Sequence, residues 1–300
     1  MIEIAEKWNP LEVDTPTAIR LQDPTPEIVK IIRLLCGTAC LIRRVNGMED
    51  VLVELDTNFI NPSHQHSADN LTDILDYFFD ERPDDAEILQ IFQAISTYNR
   101  KFYVDIRNEI SYCLFALSSD RATEAFLFLY RVLERLSSAC PLIYISRERD
   151  FRTAHSFLAG IFTENKTPGE LALLQSFIKN YADSEEMFRE NSIDFAIEDL
   201  ASEPSQEMIR QWKNVIRKEV PHLIIDEDLG VITCKFKDAV SLIVTIRNRC
   251  YHNKSAHVNF NLTKIGGSEP LFKMVMPKLM YWFSYLFIDF AKWQITAAQR

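Results

Sequence analysis

Glycine is scarce in this chain, which has 7 glycines in 300 residues beside 20 phenylalanines. Folds with many tight turns and loops that cradle phosphates both consume glycine, so the shortage favours a mostly helical protein. The motifs GxxxxGK[ST], GxGxxG, HExxH and GxSxG are also missing, which leaves no basis for an ATPase, a dehydrogenase, a metalloprotease or a GxSxG-type hydrolase. CxxC pairs are missing too, so we expect the six cysteines to be reduced core thiols.

Basic charge is in short supply, since 33 Lys and Arg face 43 Asp and Glu and the net charge is −10. Eight acids and one base lie within residues 183–203, where we expect a solvated helix face; electrostatic shielding of a basic cleft is the alternative. Any contact with nucleic acid must come from a local basic site, because affinity for phosphates depends on the Lys and Arg that reach them.

Long apolar runs are absent as well. The first fourteen residues carry acids and no apolar run, which is unlike a signal peptide and predicts a cytoplasmic protein. The longest uncharged stretch of the apolar segment 271–290 runs from Leu279 to Ile288, half of what a bilayer span needs. We expect a core or subunit-interface helix there, with a peripheral membrane helix as the alternative.

Hydrophobic periodicity divides the chain at about residue 83. Residues 1–83 predict a small α+β region with a role in sensing, partner binding or dimer support: helices over 26–35 and 69–78, and a hairpin of 38–45 with 51–55 around Asn46-Gly47. Residues 84–300 predict a helical bundle with a β-hairpin inserted at 223–237. The predicted helices cover 86–118 as one or two helices, 121–138 ending before Pro141, 147–163, 168–182, 205–219 and 238–252.

The helix over 238–252, with Asp238 as its expected N-cap, carries the most informative motif. Its last turn reads Arg247-Asn248-Arg249-Cys250-Tyr251-His252. Here the chain resembles the HEPN superfamily of helical ribonucleases and nucleotide-binding modules, whose mark is an Arg, a polar residue that is often Asn, three variable residues and a His. The stretch 121–138 resembles an earlier helix of the same bundle, so the predicted fold is mostly α and HEPN-like.

The resemblance implies a metal-independent endoribonuclease, without a cofactor, in which the ribose 2′-OH attacks the adjacent phosphate. His252 would be the general base or acid, because its reference pKa of about 6.5 suits neutral pH. Arg247 would neutralise the phosphoryl charge and Asn248 would orient the His or a phosphate oxygen. The remaining candidates are Arg249, Lys254 and His257 on the RNA backbone, Tyr251 in support, and Glu134 paired with Arg247 or with Arg131.

Helix geometry is compatible with a dimeric site. Arg247 and His252 lie about 140° apart around the helix axis, so one helix does not easily focus both on one atom. Two such helices across a two-fold axis can bring both pairs into one cleft. The resemblance likewise implies a homodimer with a composite site, which would act on single-stranded RNA or tRNA in a prokaryotic defence or toxin system, with a neutralising or activating protein as a further partner.

Other readings of these residues stay open. A basic side chain at the C-terminal end of a helix is often there only because it interacts favourably with the helix dipole. A HEPN-like module can also bind nucleotides or proteins without catalysis. Arg107-Asn108 repeats the motif with Tyr112 in place of the His, but a phenol with a pKa of about 10 is no base at neutral pH. His64 and His66 form a metal pair only if a third ligand lies nearby, and the sequence offers none.

Overall fold

The structure, a computed structural model, describes residues 2–7, 15–22, 24–44, 49–61, 69–163, 171–220, 222–251 and 259–299. These residues are mostly helical and contain two small antiparallel sheets of three strands each, as the sequence predicts. The α-helices are α1 (Glu27–Leu35), α2 (Asp69–Phe78), α3 (Asp85–Tyr98), α4 (Arg100–Ser118), α5 (Ala122–Arg147), α6 (Phe151–Thr163), α7 (Ala172–Ser184), α8 (Glu186–Glu190), α9 (Glu203–Gln211), α10 (Ala239–Tyr251) and α11 (Glu269–Ala298). The strands are β1 (Ile2–Glu6), β2 (Ala39–Arg43), β3 (Val51–Glu54), β4 (Ser192–Ala196), β5 (Ile224–Asp226) and β6 (Val231–Lys235).

The first sheet confirms the predicted hairpin, with β2 between β1 and β3. Leu41 pairs with Ile4 on one side and with Val53 on the other. Strand β1 was not predicted, and the Asn46-Gly47 turn lies outside the described residues. The end of α1 turns into β2 through Gly37, whose φ of +67° is the left-handed conformation that favours glycine after a helix.

The segment 86–118 forms two helices, α3 and α4, which meet at Asn99. Helix α3 begins where Asp84 accepts a hydrogen bond from the Glu87 amide over 2.9 Å, which is the usual role of an N-cap aspartate. The helices predicted over 147–163, 168–182 and 205–219 exist as α6, α7 and α9, and α9 continues into a π-helical turn over Trp212–Ile216.

The prediction that Pro141 ends a helix was wrong, because α5 runs through it to Arg147. A proline inside a helix costs about 3 kcal/mol through the lost hydrogen bond and the ring clash. Beyond Pro141, the buried Tyr144 packs against Phe157, Phe177 and Trp293. This aromatic packing offsets the cost and keeps the chain helical for another turn and a half.

The second sheet confirms the hairpin predicted at 223–237 and adds a third strand to it. Strand β4 pairs with β6, so the prediction of a solvated helix face over 183–203 was wrong for this part. Ile193 and Phe195 are buried while Asp194 is exposed, and this alternation is a strand pattern with its acids on the solvent side. The turn between β5 and β6 contains Gly230 at φ +64°.

Helix α11 is the centre of the core. Its Leu279 to Ile288 stretch is buried apart from Tyr281 and Tyr285, which confirms a core helix at this position. The Trp282 indole donates to the carbonyl oxygen of Phe236 over 3.1 Å and ties α11 to the second sheet. Helix α5 packs along it, and α4 packs on α5 and reaches α11 through Tyr103, which donates a hydrogen bond to Gln294. The same core extends into α1, so it is continuous across residue 83. The division at residue 83 stays a prediction. Among the described helices, none is long and apolar enough to cross a membrane.

Candidate functional site

The residues of the predicted motif lie on the last turn of α10. The helix runs from Ala239 to Tyr251, close to the predicted bounds. The prediction that Asp238 is its N-cap was wrong, because Asp238 lies in a 3-10 turn, Phe236–Asp238, that leads directly into the helix. Its apolar side is buried and fixes its orientation through packing of Val240, Leu242, Ile243 and Ile246. Because successive residues are 100° apart, the last turn distributes its side chains around the helix axis.

Arg247 lies on the partly exposed side of α10, next to α5. Its guanidinium carbon is 5.0 Å from the centre of the Tyr130 ring, a cation–π contact. Its Nη1 donates a hydrogen bond to Asn248 Oδ1 over 3.3 Å. Tyr130 is only 6% exposed, so the guanidinium lies on a ring that is fixed in the core. The structure thus brings Arg247 and Asn248 together with their polar groups in contact.

Arg247 forms one side of an open groove of about 390 Å³ that we call the α5–α10 groove. All its other lining residues belong to α5: Glu124, Leu127, Phe128, Tyr130, Arg131 and Glu134. Two guanidinium groups and two carboxylates therefore face the same space. Their formal charges cancel, so a phosphate is favoured at the Arg247 end rather than along the whole groove.

Glu134, predicted to pair with Arg247 or with Arg131, lines this groove together with both. Arg131 lies 2.9 Å from Glu109 on α4, and Arg135 approaches the same carboxylate at 3.6 Å. Arg131 and Arg247 both line the groove beside Glu134, so both pairings remain open. The pairing of Glu134 with Arg247 stays a prediction.

An aromatic wall borders the groove and was not predicted. Phe128 stacks on Tyr112 of α4, with ring centres 5.3 Å apart and planes 20° apart. Tyr130 is the second ring of this wall. From the sequence alone, these rings would be assigned to packing between helices. They border a groove only because α4 and α5 pack against each other. Tyr112 belongs to the second copy of the motif, which begins at Arg107. Arg107 itself lies 2.9 Å from Glu27 of α1 and does not line the groove.

Arg249, which was predicted to contact the RNA backbone, is mostly buried in the structure. Its side chain is 9% exposed and forms an ion pair with Glu219. Its carbonyl oxygen accepts a hydrogen bond from the Phe260 amide over 3.1 Å. Two helical steps separate it from Arg247, which is about 200° around the axis, so the two guanidinium groups lie on nearly opposite sides of α10. Arg249 is therefore mostly buried in an ion pair of the fold, which does not support its predicted contact with an RNA backbone.

Tyr251 closes α10 beside the start of α11. Its ring stacks on Phe272 with centres 6.1 Å apart. Burial, together with the nearby Cys250 and Glu269, raises the pKa of Tyr251 to about 12, so the phenol stays protonated at neutral pH. The Glu269 carboxylate accepts hydrogen bonds from the backbone amides of Ala122 and Thr123 and so caps α5. The ends of α10, α5 and α11 therefore meet at one place next to the groove.

His252, Lys254 and His257 lie outside the described residues, as do His64 and His66. The described chain stops at Tyr251 and resumes at Asn259. The roles assigned to these five residues stay predictions.

Other chemistries find little support in the part of the chain that the structure covers. No group of three or more His, Cys, Asp or Glu there is placed to hold a metal ion. All six cysteines are free, and five are buried, as predicted for core thiols. Burial raises the pKa of the sixth, Cys250, to about 12, so it is no thiolate nucleophile at neutral pH.

A comparison of the chain with protein-family models, curated proteins and solved structures found no match. The functional assignment therefore depends on the motif and on the geometry around Arg247.

Proposed function

We propose that the protein is a metal-independent endoribonuclease whose active site lies at the end of α10. The observation that carries the proposal is the setting of Arg247, whose guanidinium lies on the Tyr130 ring and contacts Asn248 at the edge of an open groove. An oriented guanidinium presents parallel N–H donors that match two phosphoryl oxygens. His252 follows Tyr251 directly in the sequence and supplies the group that titrates near neutral pH.

The reaction needs RNA because its nucleophile is the ribose 2′-OH. The 2′-oxygen forms a bond to phosphorus while the bond from phosphorus to the 5′-oxygen breaks. The 2′-OH proton passes to one histidine, and the leaving 5′-oxygen takes a proton from another acid. Arg247 stabilises the charge that builds on the phosphoryl oxygens. The products carry a 2′,3′-cyclic phosphate and a 5′-hydroxyl.

A second copy of the chain would supply the acid that protonates the leaving 5′-oxygen. If two α10 ends face each other across a two-fold axis, His252 of one subunit acts as the base and His252 of the partner subunit acts as the acid. The same arrangement doubles the guanidinium groups at the phosphate, which matters in a groove whose own charges cancel. We accordingly propose a homodimer that acts on RNA in the cytoplasm, in a defence or toxin setting where a protein partner controls its activity.

The test is cleavage of a 5′-labelled single-stranded RNA in EDTA by wild type, Arg247→Ala and His252→Ala. We expect losses of about 100-fold or more for Arg247→Ala and for His252→Ala. Arg152→Ala, on the exposed side of α6, is the matched control and should cleave like wild type. Cleavage that survives in both site variants, or that stops with EDTA alone, would rule out the mechanism.

A nucleotide-binding module without catalysis is the second candidate. The observation in its favour is the pairing of Phe128 and Tyr130 with two carboxylates in the α5–α10 groove, since aromatic rings stack on a nucleobase while carboxylates weaken binding of a polyanion. This function predicts saturable binding of a mononucleotide, weakened by Phe128→Ala, without any turnover of RNA. Equilibrium dialysis with labelled nucleoside monophosphates distinguishes it from the nuclease.

A further inference from the structure

A cavity of about 350 Å³, separate from the α5–α10 groove, lies between α2 and α11. It is formed by α2, by the segment around Ile60 and by the last third of α11. Its lining residues are Ile60, Asn61, Asp73, Ile74, Tyr77, Tyr285, Ile288 and Asp289. Ligand pockets have volumes of about 300–1,000 Å³, with mostly apolar walls and a few polar groups.

The walls of this cavity are fixed by hydrogen bonds and packing. The Asn58 side chain, which is 1% exposed, accepts the backbone amides of Ile60 and Asn61 over 2.9 Å each. Ile74 and Ile288 are buried on opposite walls. A wall held in this way is preorganised, so a ligand loses little binding free energy to ordering of the protein.

Asp289 is the unusual group of the cavity. It is 7% exposed, and its two oxygens accept hydrogen bonds from the phenols of Tyr77 and Tyr181. A carboxylate has about four acceptor positions, so two further donors can be accommodated. Burial is the main reason that the pKa of Asp289 is raised, and the nearby Glu185 adds to it, whereas Tyr77, Tyr181 and Lys292 lower it. The neighbouring hydrogen-bond donors and Lys292 thus stabilise the carboxylate less than the hydration that it loses on burial would.

Among the described residues that line the cavity, two are acidic and none is basic. Asp73 lies at its exposed edge, and Asp289 lies inside. Lys292, a cation close to Asp289, is directed at the face of the Tyr77 ring, with 4.3 Å between its Nζ and the ring centre. A phosphate or carboxylate ligand would meet two like charges here, while a positively charged ligand would be attracted.

We propose that this cavity binds a small organic cation with a flat apolar body, such as an arylalkyl amine. The ammonium group lies between Asp289 and Asp73, and the apolar body packs against Ile74, Ile288 and the Tyr285 ring. The bound ammonium donates to Asp289 at positions that the two phenols leave open. This site is separate from the α5–α10 groove, so its occupancy does not depend on the proposed nuclease function.

The experiment is isothermal titration calorimetry of the full chain with tyramine and tryptamine. The matched neutral probes are the corresponding alcohols, tyrosol and tryptophol, and the anionic probe is 4-hydroxyphenylacetate. We expect an amine to bind with a Kd of about 1 mM or tighter, and at least about 10-fold tighter than its neutral and anionic counterparts, as a desolvated charge-assisted hydrogen bond requires.

Variants locate the binding. Asp289→Asn keeps the shape of the side chain and should weaken amine binding by about 10-fold or more. Asp73 is exposed, and Asp73→Asn should weaken binding by about 2- to 5-fold. Asp76→Asn, on the exposed part of the same helix but outside the cavity, should have no effect. The proposal is overturned if neither amine binds wild type, if an alcohol or the anion binds as tightly, or if Asp73→Asn and Asp76→Asn behave alike.

Discussion

Replacing Arg249 by alanine should destabilise the protein, whereas replacing Arg247 by alanine should leave it folded and remove its activity. The two arginines are two positions apart in the sequence, and they differ in what surrounds them. The Arg249 side chain is 9% exposed and is paired with Glu219, whose side chain is 39% exposed. Arg247 lies at the edge of a groove, on the face of Tyr130.

The size of the effect follows from these exposures. Removing one partner of a fully buried ion pair costs about 3–5 kcal/mol, because the other charge stays buried without compensation. Glu219 is reached by solvent over more than a third of its side chain, so the loss for Arg249→Ala should be about 1–3 kcal/mol. For Arg247→Ala the lost contact with Tyr130 amounts to about 0.5–1 kcal/mol.

Equilibrium unfolding in urea measures both values, and a double-mutant cycle with Glu219→Ala isolates the ion pair. We expect Arg249→Ala and Glu219→Ala to be non-additive by about 1 kcal/mol or more, since each leaves the other without its partner. RNA cleavage should also be measured under conditions in which each variant is fully folded. It should be lost in Arg247→Ala and retained in Arg249→Ala. A stable Arg249→Ala that cannot cleave RNA would refute the assignment, because it would place Arg249 at the phosphate after all.

Three further predictions concern groups near the two sites. Glu269→Gln should reduce the free energy of unfolding by about 1–2 kcal/mol through weaker capping of α5, and, by removing a negative charge, should lower the pKa of Tyr251 from about 12 in an ultraviolet titration. Gly37→Ala should cost at least about 2 kcal/mol in urea unfolding, because a Cβ there lies 2.6 Å from a backbone oxygen, while Gly267→Ala, with nothing within 4 Å, should cost less. Amine binding should weaken as the pH falls through the raised pKa of Asp289, since protonation removes the charge that attracts the ligand; calorimetry that shows tighter binding at low pH would contradict this.

The sequence predicts the helices of this protein well where periodicity and caps agree. Helix α3 begins within one residue of its predicted start, and the described part of α10 lies within its predicted bounds, because hydrophobic periodicity is a local signal. Strand β4 and the passage of α5 through Pro141 were missed for the opposite reason. Each depends on partners distant in the chain, namely β6 for the strand and the aromatic cluster around Tyr144 for the helix.

The site was predictable in part. Arg247 and Asn248 were identified from the motif, and helical geometry alone would have separated Arg249 from Arg247, since an offset of two residues turns a side chain by about 200°. The aromatic wall of Tyr112, Phe128 and Tyr130 could not be read from the sequence, because it forms where two helices meet. The buried Asp289 is similar: a single acid in an apolar helix has no sequence signal that names Tyr77 and Tyr181 as its partners.

Charge connects the groove to the need for a second copy. In one subunit the groove holds the guanidinium groups of Arg131 and Arg247 opposite Glu124 and Glu134, and Arg131 is already engaged with Glu109 on α4. Among the described residues of this groove, Arg247 is therefore the main cation for an RNA phosphate, in a chain whose net charge is −10. Binding to RNA strengthens with each phosphate that is neutralised, so the proposed function requires further cations at the phosphate. In the proposed homodimer, two α10 ends on a two-fold axis would double the guanidinium groups at one phosphate, and dimerisation would then be both the step that creates the active site and the step that the proposed controlling partner blocks.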